Sequence, residues 1–390
     1  MLLGNHKWEK VKLGEVCLIT SGGTPNTRIQ EYWIDGTIPW LRSECCKDEK
    51  VLEANEYISE VGLKNSSAKL FKSGTTLIAL VGATIGKTAY IPFEATTNQN
   101  VASLFPINEN KVFKEFLFYA CQNAYKEYFS GISGFKMANL SFIKQIEIPL
   151  PSLSEQSQIA ELFQSIEIAI EQAEHQEKNL RKLCKKMIDD FVSDKPSFGN
   201  LLKGKQLKKV NYCDVTEKLM RKIDPVSYGI DRIVGGENLE SEDFGIRTWS
   251  TVGKDFLGPA FHVLFKPGDI LYGSRRTYLR KVALADFEGV CANTTYVIRA
   301  DEKILLQDLL KHIMLSERFT QYSIGVSKGS TNPYINWKDL DNFSFQIPDI
   351  KIQKEIVRIL DEIIELAEKS RERKQALKNL KQKLLNEILG

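Results

Sequence analysis

The feature that most limits what this chain can fold into is a run without proline or glycine, from Glu155 to about Phe191. Its apolar residues Ile159, Leu162, Ile166, Ala169, Ala173, Leu180, Leu183 and Met187 are spaced by threes and fours and line one helical face. A helix of that length is on the order of 55 Å long, more than an ordinary core helix needs. Pro151 precedes it, Ser152 or Ser154 can cap it, and Glu155 lies in its first turn. The pattern returns after Asp349, with Ile356, Ile359, Ile363, Leu366, Leu377, Leu380 and Leu384 on the seam.

The return of the helix is part of a larger repeat. Lys72-Ser73-Gly74 through Leu77 matches Lys266-Pro267-Gly268 through Leu271, and Lys87 with Ala89 matches Lys281 with Ala283. Phe93-Glu94 matches Phe287-Glu288, and Asn139-Leu140 with Ile143 matches Asn336-Trp337 with Leu340. Pro151, Gln156, Ile159 and Leu162 match Pro348, Gln353, Ile356 and Ile359. The repeating unit is therefore a globule followed by a long helix, present twice. Residues 154–195 carry 6 Lys/Arg against 9 Asp/Glu and residues 351–390 carry 10 against 7, so the helices have opposite net charge. The expected fold is α+β: two similar mixed α/β domains joined by two long antiparallel coiled-coil helices about a pseudo-twofold. The expected boundaries are 1–153, 154–195, 196–350 and 351–390.

Composition narrows the class. Seven cysteines are scattered without a CxxC pair, as in reduced cytosolic proteins, and four separated histidines do not suggest a metal site. The longest apolar runs are strand length, and the first ten residues do not read as a secretory signal, so a cytoplasmic chain is expected. A net charge of +3 neither requires nor excludes nucleic acid, because a basic groove can sit on a nearly neutral whole.

Three catalytic-looking motifs do not hold. Gly82 to Thr88 reads GATIGKT, but a phosphate-binding loop needs its first glycine one residue earlier, where Val81 stands. Asn332-Pro333-Tyr334 lacks one proline of the amino-methyltransferase signature, and Glu372-Arg373-Lys374 lies mid-helix with no acidic partner. The chain reads as one that does no chemistry itself.

Each globule instead carries polar, Gly-rich loops with side chains suited to reading base edges or holding phosphates. In the first half the candidates are Ser21, Thr24, Arg42, Thr84, Lys87, Asn98, Gln99, Asn100 and Lys136, the last in the stretch Ser133–Lys136. In the second half they are Arg247, Ser274, Arg275, Arg276, Thr277, Tyr278, Arg280, Lys281, Asn293, Lys328, Ser330, Thr331, Asn332 and Tyr334. Similar scaffolds with different loop chemistry suit two readers of different sequences. The competing reading is a coiled-coil scaffold that binds proteins without DNA specificity.

WxxVKLGE at Trp8 to Glu15, KxGT at Lys72 to Thr75, IPLPSLSEQSQIAELF, and PDIKIQKEIVRIL in the second half resemble the specificity subunit of type I restriction-modification systems. The resemblance spans essentially the whole chain and is strongest at the P-x₄-Q-x₂-I start of each long helix. It implies that each globule is a target recognition domain reading one half of a bipartite site in double-stranded DNA. It implies that the helices set the spacing and dock two methyltransferase subunits, with motor-endonuclease subunits added for cleavage. S-adenosylmethionine, ATP and magnesium are then expected on those partners, with none bound by this chain.

Overall fold

The computed structural model describes residues 8–129, 138–254, 258 and 260–390. The chain forms two compact units: Met1–Ala173 with Glu372–Gly390, and Glu174–Arg371. Each contains one half of each long helix.

The first unit runs β1 (Lys10–Lys12), α1 (Leu13–Val16), β2 (Cys17–Ser21), β3 (Ile38–Leu41), β4 (Glu49–Lys50), β5 (Glu56–Ile58), α2 (Glu60–Lys64) and β6 (Thr75–Ala79). It continues with β7 (Thr88–Ile91), β8 (Thr96–Thr97), β9 (Val101–Pro106), α3 (Lys114–Phe129), α4 (Leu140–Gln145) and β10 (Glu147–Pro149). The strands form a five-stranded sheet in the order β2-β9-β6-β7-β4, a three-stranded sheet β5-β3-β8, and the pair β1-β10. Sequence periodicity predicts one strand from Val11 to Thr20; the structure breaks it at α1. Leu13 is fully buried there and its N–H donates to Ile146 O at 2.8 Å, which turns the chain from one sheet into the next. The core lies between the large sheet, α3 and the helical half-rods, with Phe116, Tyr119 and Phe163 fully buried.

The second unit is built to the same plan. It runs β11 (Lys208–Asn211), α6 (Tyr212–Val215), β12 (Thr216–Leu219), α7 (Pro225–Tyr228), β13 (Arg232–Val234), β14 (Ser250–Thr251), β15 (Phe261–Phe265) and β16 (Ile270–Gly273). Then come β17 (Val282–Leu284), β18 (Gly289–Ala292), β19 (Thr295–Ala300), α8 (Gln307–Ile313), α9 (Glu317–Gly325), α10 (Trp337–Leu340) and β20 (Ser344–Ile347). Its sheets are β12-β19-β16-β17, β14-β13-β18-β15 and β11-β20. The parallel pair β3·β8 of the first unit has its copy in β13·β18.

The long helices are α5 (Leu153–Val192) and α11 (Ile350–Leu389). Their repeated glutamine is a clamp. Gln156 Nε2 donates to Lys111 O and Pro151 O at 2.9 and 2.8 Å, while its Oε1 accepts from Phe113 N at 2.8 Å. Gln353 repeats this with Ile304 O, Pro348 O and Leu306 N at 2.9, 2.9 and 3.0 Å, and both side chains are 0% exposed. A buried amide with its donors and acceptor satisfied ties the helix start to the preceding loop.

The helices pack antiparallel. In the first unit Lys381 Nζ meets Glu167 Oε1 at 2.7 Å, and Leu385, Ile388 and Leu389 share a core with Ile159, Ala160 and Phe163. In the second, Arg181 pairs with Glu368, and Ile356 and Leu360 share a core with Ile188 and Phe191. Of the predicted seam, Ile159, Ile166 and Ile356 are buried, and Leu162, Met187, Ile359, Ile363 and Leu384 pack partly buried against the cores. Leu180 and Leu377 are half-buried. Leu183, Leu366 and Leu380 are 46%, 49% and 43% exposed and do not belong to the seam. Cys184 and Ile188 take the inward positions on α5, and Lys381 and Leu385 on α11, one residue further along. The pattern had followed leucine identity where the helix phase selects the neighbour.

Among the described residues no helix is long and apolar enough to cross a membrane. No group of three or more His, Cys, Asp or Glu among them is placed to hold a metal ion.

Candidate nucleic-acid interface

The antiparallel strands of each unit's large sheet bring its polar turns to one end. In the first unit β2 leaves at Ser21, β6 leaves at Ala79, β7 enters at Thr88 and β9 enters at Val101, with Ser21 opposite Ala102 and Ala79 opposite Val101. The turns 22–25, 80–87 and 98–100 therefore share that end. Gly22 is required there: a Cβ would stand 2.0 Å from Thr97 O. Gly23 N donates to Thr97 O at 2.9 Å and Trp40 Nε1 donates to Gly23 O at 3.0 Å.

On this frame Thr24 Oγ1 donates to Gln99 Oε1 at 2.7 Å, and Asn98 Oδ1 accepts from Asn100 N at 3.1 Å. Asn98 is buried and its N–H donates to Leu41 O at 2.9 Å, which brings Arg42 beside the same turn. Arg42 is exposed and makes a two-pronged contact with Glu56 at 3.0 and 2.9 Å, its guanidinium 5.2 Å from the Trp40 ring centroid. Ser21 and Thr84 are half-buried, and Lys87 is exposed with no ion pair among the described residues. Lys136, with the rest of the Ser133–Lys136 stretch, lies outside the described residues.

In the second unit β16 leaves at Gly273, β17 enters at Val282 and β19 enters at Thr295, so the turns 274–281 and 293–294 gather in the same way. A third segment joins them. Arg276 N donates to Pro333 O at 2.7 Å, Ile335 N to Ser274 O at 2.9 Å, and Lys328 and Tyr334 exchange backbone bonds of 2.8 and 2.9 Å. Sequence-distant segments 274–278 and 328–334 thus form one surface. Arg275, Arg276, Tyr278, Ser330, Thr331, Asn332 and Tyr334 are exposed on it, and Arg275 and Arg276 make no ion pair among the described residues. Asn293 is exposed nearby, its N–H bonded to Ala260 O at 3.1 Å. Lys328 Nζ meets Asp339 at 3.2 and 3.1 Å; that contact, with Asn336, holds the Asp339 carboxyl below its usual range.

Several predicted contact residues turn inward. Ser274 is buried and donates to Thr294 O at 2.6 Å, and Thr277 is buried with its Oγ1 3.4 Å from Ser327 Oγ. Lys281 reaches the Gly236 carbonyl. Arg247 pairs with Asp243 and Glu368 at 2.7 and 2.8 Å, and Arg280, 9% exposed, is enclosed by Glu242 and Glu317. These cations are neutralised by partners already in place, a cost that reading DNA would have to undo. Sequence reasoning missed Glu242, Glu317 and Lys185 as the supports of this end, since their meeting has no local signal.

The model of the family described as type I restriction modification DNA specificity domain matches residues 5–180 and again 202–379. The chain belongs to that family and carries its domain twice. It is 25% identical to the type I restriction enzyme MjaIX specificity subunit of Methanocaldococcus jannaschii, over 98% of this chain and 92% of that one. In fold it resembles the S subunit of the type I restriction-modification system of M. genitalium, with a TM-score of 0.59 and 12% identity, covering 100% and 98% of the two chains. A second solved chain, from work on complex assembly and conformational transition of the type I R-M system, superposes with a TM-score of 0.60 at 19% identity, covering 98% and 97%.

Proposed function

We propose that the chain is a non-catalytic specificity subunit whose two units each read one half of a bipartite site in duplex DNA. The observation that carries this reading is the doubled sheet end: the same scaffold and glutamine clamp recur, while the exposed turn residues differ. Arg275 and Arg276 stand free to engage guanine edges or phosphates, with Tyr278 and Tyr334 beside them. The first unit presents amides, hydroxyls, Lys87 and the Glu56-bound Arg42, a chemistry suited to a different half-site.

Methyltransferase subunits dock on the long helices in this reading, and motor-endonuclease subunits join for cleavage. The outward apolar residues Ile168, Leu183, Leu366 and Leu380 support such a role, since water-facing leucines along a helix suit a partner better than solvent. S-adenosylmethionine, ATP and magnesium then act on the partners.

The test is a gel shift with the full chain and its methyltransferase partner on duplexes that carry or lack either half-site. Arg275→Ala with Arg276→Ala is expected to weaken specific binding about tenfold or more, roughly 1.4 kcal/mol. Binding indifferent to both half-sites, or to this double substitution, contradicts the proposal.

A further inference from the structure

Among the described residues five non-glycine positions have positive φ, and three of them, Glu242, Arg276 and Arg280, lie in one region of the second unit. Arg276 and Arg280, at φ 50° and 51°, bracket the single turn of 3₁₀ helix Thr277–Leu279. The first unit has a 3₁₀ turn one residue earlier in the aligned register, Gly82–Thr84, and there Gly82 and Gly86 have φ 75° and 83°. Aligned by the repeat, Gly82 falls on Arg276 and Gly86 on Arg280. The left-handed backbone is free of strain for glycine and strained for arginine, so the second unit holds by contacts a shape the first obtains from residue choice.

Those contacts converge on Arg280. Its Nη1 donates to Glu317 Oε2 at 2.9 Å, and its Nη2 to the Leu315 carbonyl. Its Nε stands 2.6 Å from Glu242 Oε1, an ion pair by distance though not aligned as a hydrogen bond. Glu242 N donates back to Arg280 O at 3.1 Å. Lys185 of α5 lies 3.4 and 3.5 Å from the same two carboxylates, and Asp189 of α5 accepts from Glu317 N at 2.6 Å. The Gln321 amide, with the Arg280 and Lys185 cations, holds the Glu317 carboxyl below its usual range.

We infer that Arg280 is the positioning residue of the second unit's reading turn, a latch between that turn and α5 that aims Arg275, Arg276 and Tyr278 at the DNA. This rests on the reading of that surface as a DNA contact. Arg280 itself touches no DNA: its guanidinium is spent on Glu242, Glu317 and Leu315. The first unit has no such latch at Gly86, so the device acts on one half-site only.

The test uses the full chain with its methyltransferase partner and a library of duplexes randomised in both half-sites. Arg280→Gln is expected to flatten base preference about tenfold in the half-site that Arg275→Ala/Arg276→Ala also flattens, and to leave the other half intact. The salt dependence separates positioning from contact. Arg280→Gln keeps the wild-type slope, whereas each lost phosphate contact lowers it by about 0.9. Arg280→Lys, which can still meet both carboxylates, recovers part of the preference. Wild-type preference in Arg280→Gln, or equal flattening of both halves, overturns the latch. No effect of Arg275→Ala/Arg276→Ala on either half overturns the DNA reading of this surface instead. If Arg280→Gln does not fold, Glu242→Gln, which leaves Arg280 paired to Glu317, decides by the same profile.

Discussion

Gln156 and Gln353 show what a single side chain contributes here. Each closes three hydrogen bonds in a fully buried site, so truncation strands two carbonyls and an N–H away from water. Gln156→Ala or Gln353→Ala should cost about 2–3 kcal/mol, seen as a lower urea midpoint at unchanged slope. An unchanged midpoint would mean the amide is not a clamp. His312 makes a second prediction. Burial holds its imidazole pKa down, against the hydrogen bond from its Nε2 to Asp361 Oδ1 at 3.0 Å. Lys311, Asp308 and the Phe244 ring are its other close neighbours. With the folded pKa below the unfolded value near 6.5, the unfolded chain binds the proton first. Stability should therefore fall as pH drops below about 6.5, and His312→Gln should remove that fall. Identical midpoints against pH in both proteins would refute it. The spacing of each glutamine from the proline five residues before it was legible in sequence; its other two partners, more than forty residues away, were not.

At the scale of elements, hydrophobic periodicity located both long helices and their rough extent but misjudged their inner face near the middle. There small residues, Ala173, Ala367 and Ser370, take buried positions and ion pairs flank them: Arg181 meets Glu177 and Glu368, Lys381 meets Glu167, and Arg371 reaches off the helix pair to Asp243 and Glu240. Where small residues sit inward, leucines are left outward, and a reading that assigns every leucine to the seam goes astray. The stability consequence is direct. Ile188→Ala, in the buried core, should cost about 2–4 kcal/mol, whereas Leu183→Ala should stay within about 0.5 kcal/mol. Equal losses in thermal or urea unfolding would contradict the assignment. The strand read from Val11 to Thr20 is instead broken by α1, which passes the chain from one sheet to another.

At the scale of the molecule, duplication was the most legible property, because it needs only that ordered matches recur at a nearly constant offset. The proposed DNA-facing turns were half legible. Loop composition picked out turns that the fold gathers at one sheet end of each unit, yet it could not separate Arg275 and Arg276, which face outward, from Arg280 and Arg247, which are consumed inside. Residue type alone carries no information on whether a carboxylate will be folded against it. The central claim is two readers on one chain, and base-resolution mapping of adenine methylation in cells carrying this subunit with its methyltransferase tests it most directly. The account predicts one motif with two specified halves separated by an unspecified spacer of fixed length, lost when the subunit is deleted. A single contiguous motif, or methylation unchanged by the deletion, would contradict it.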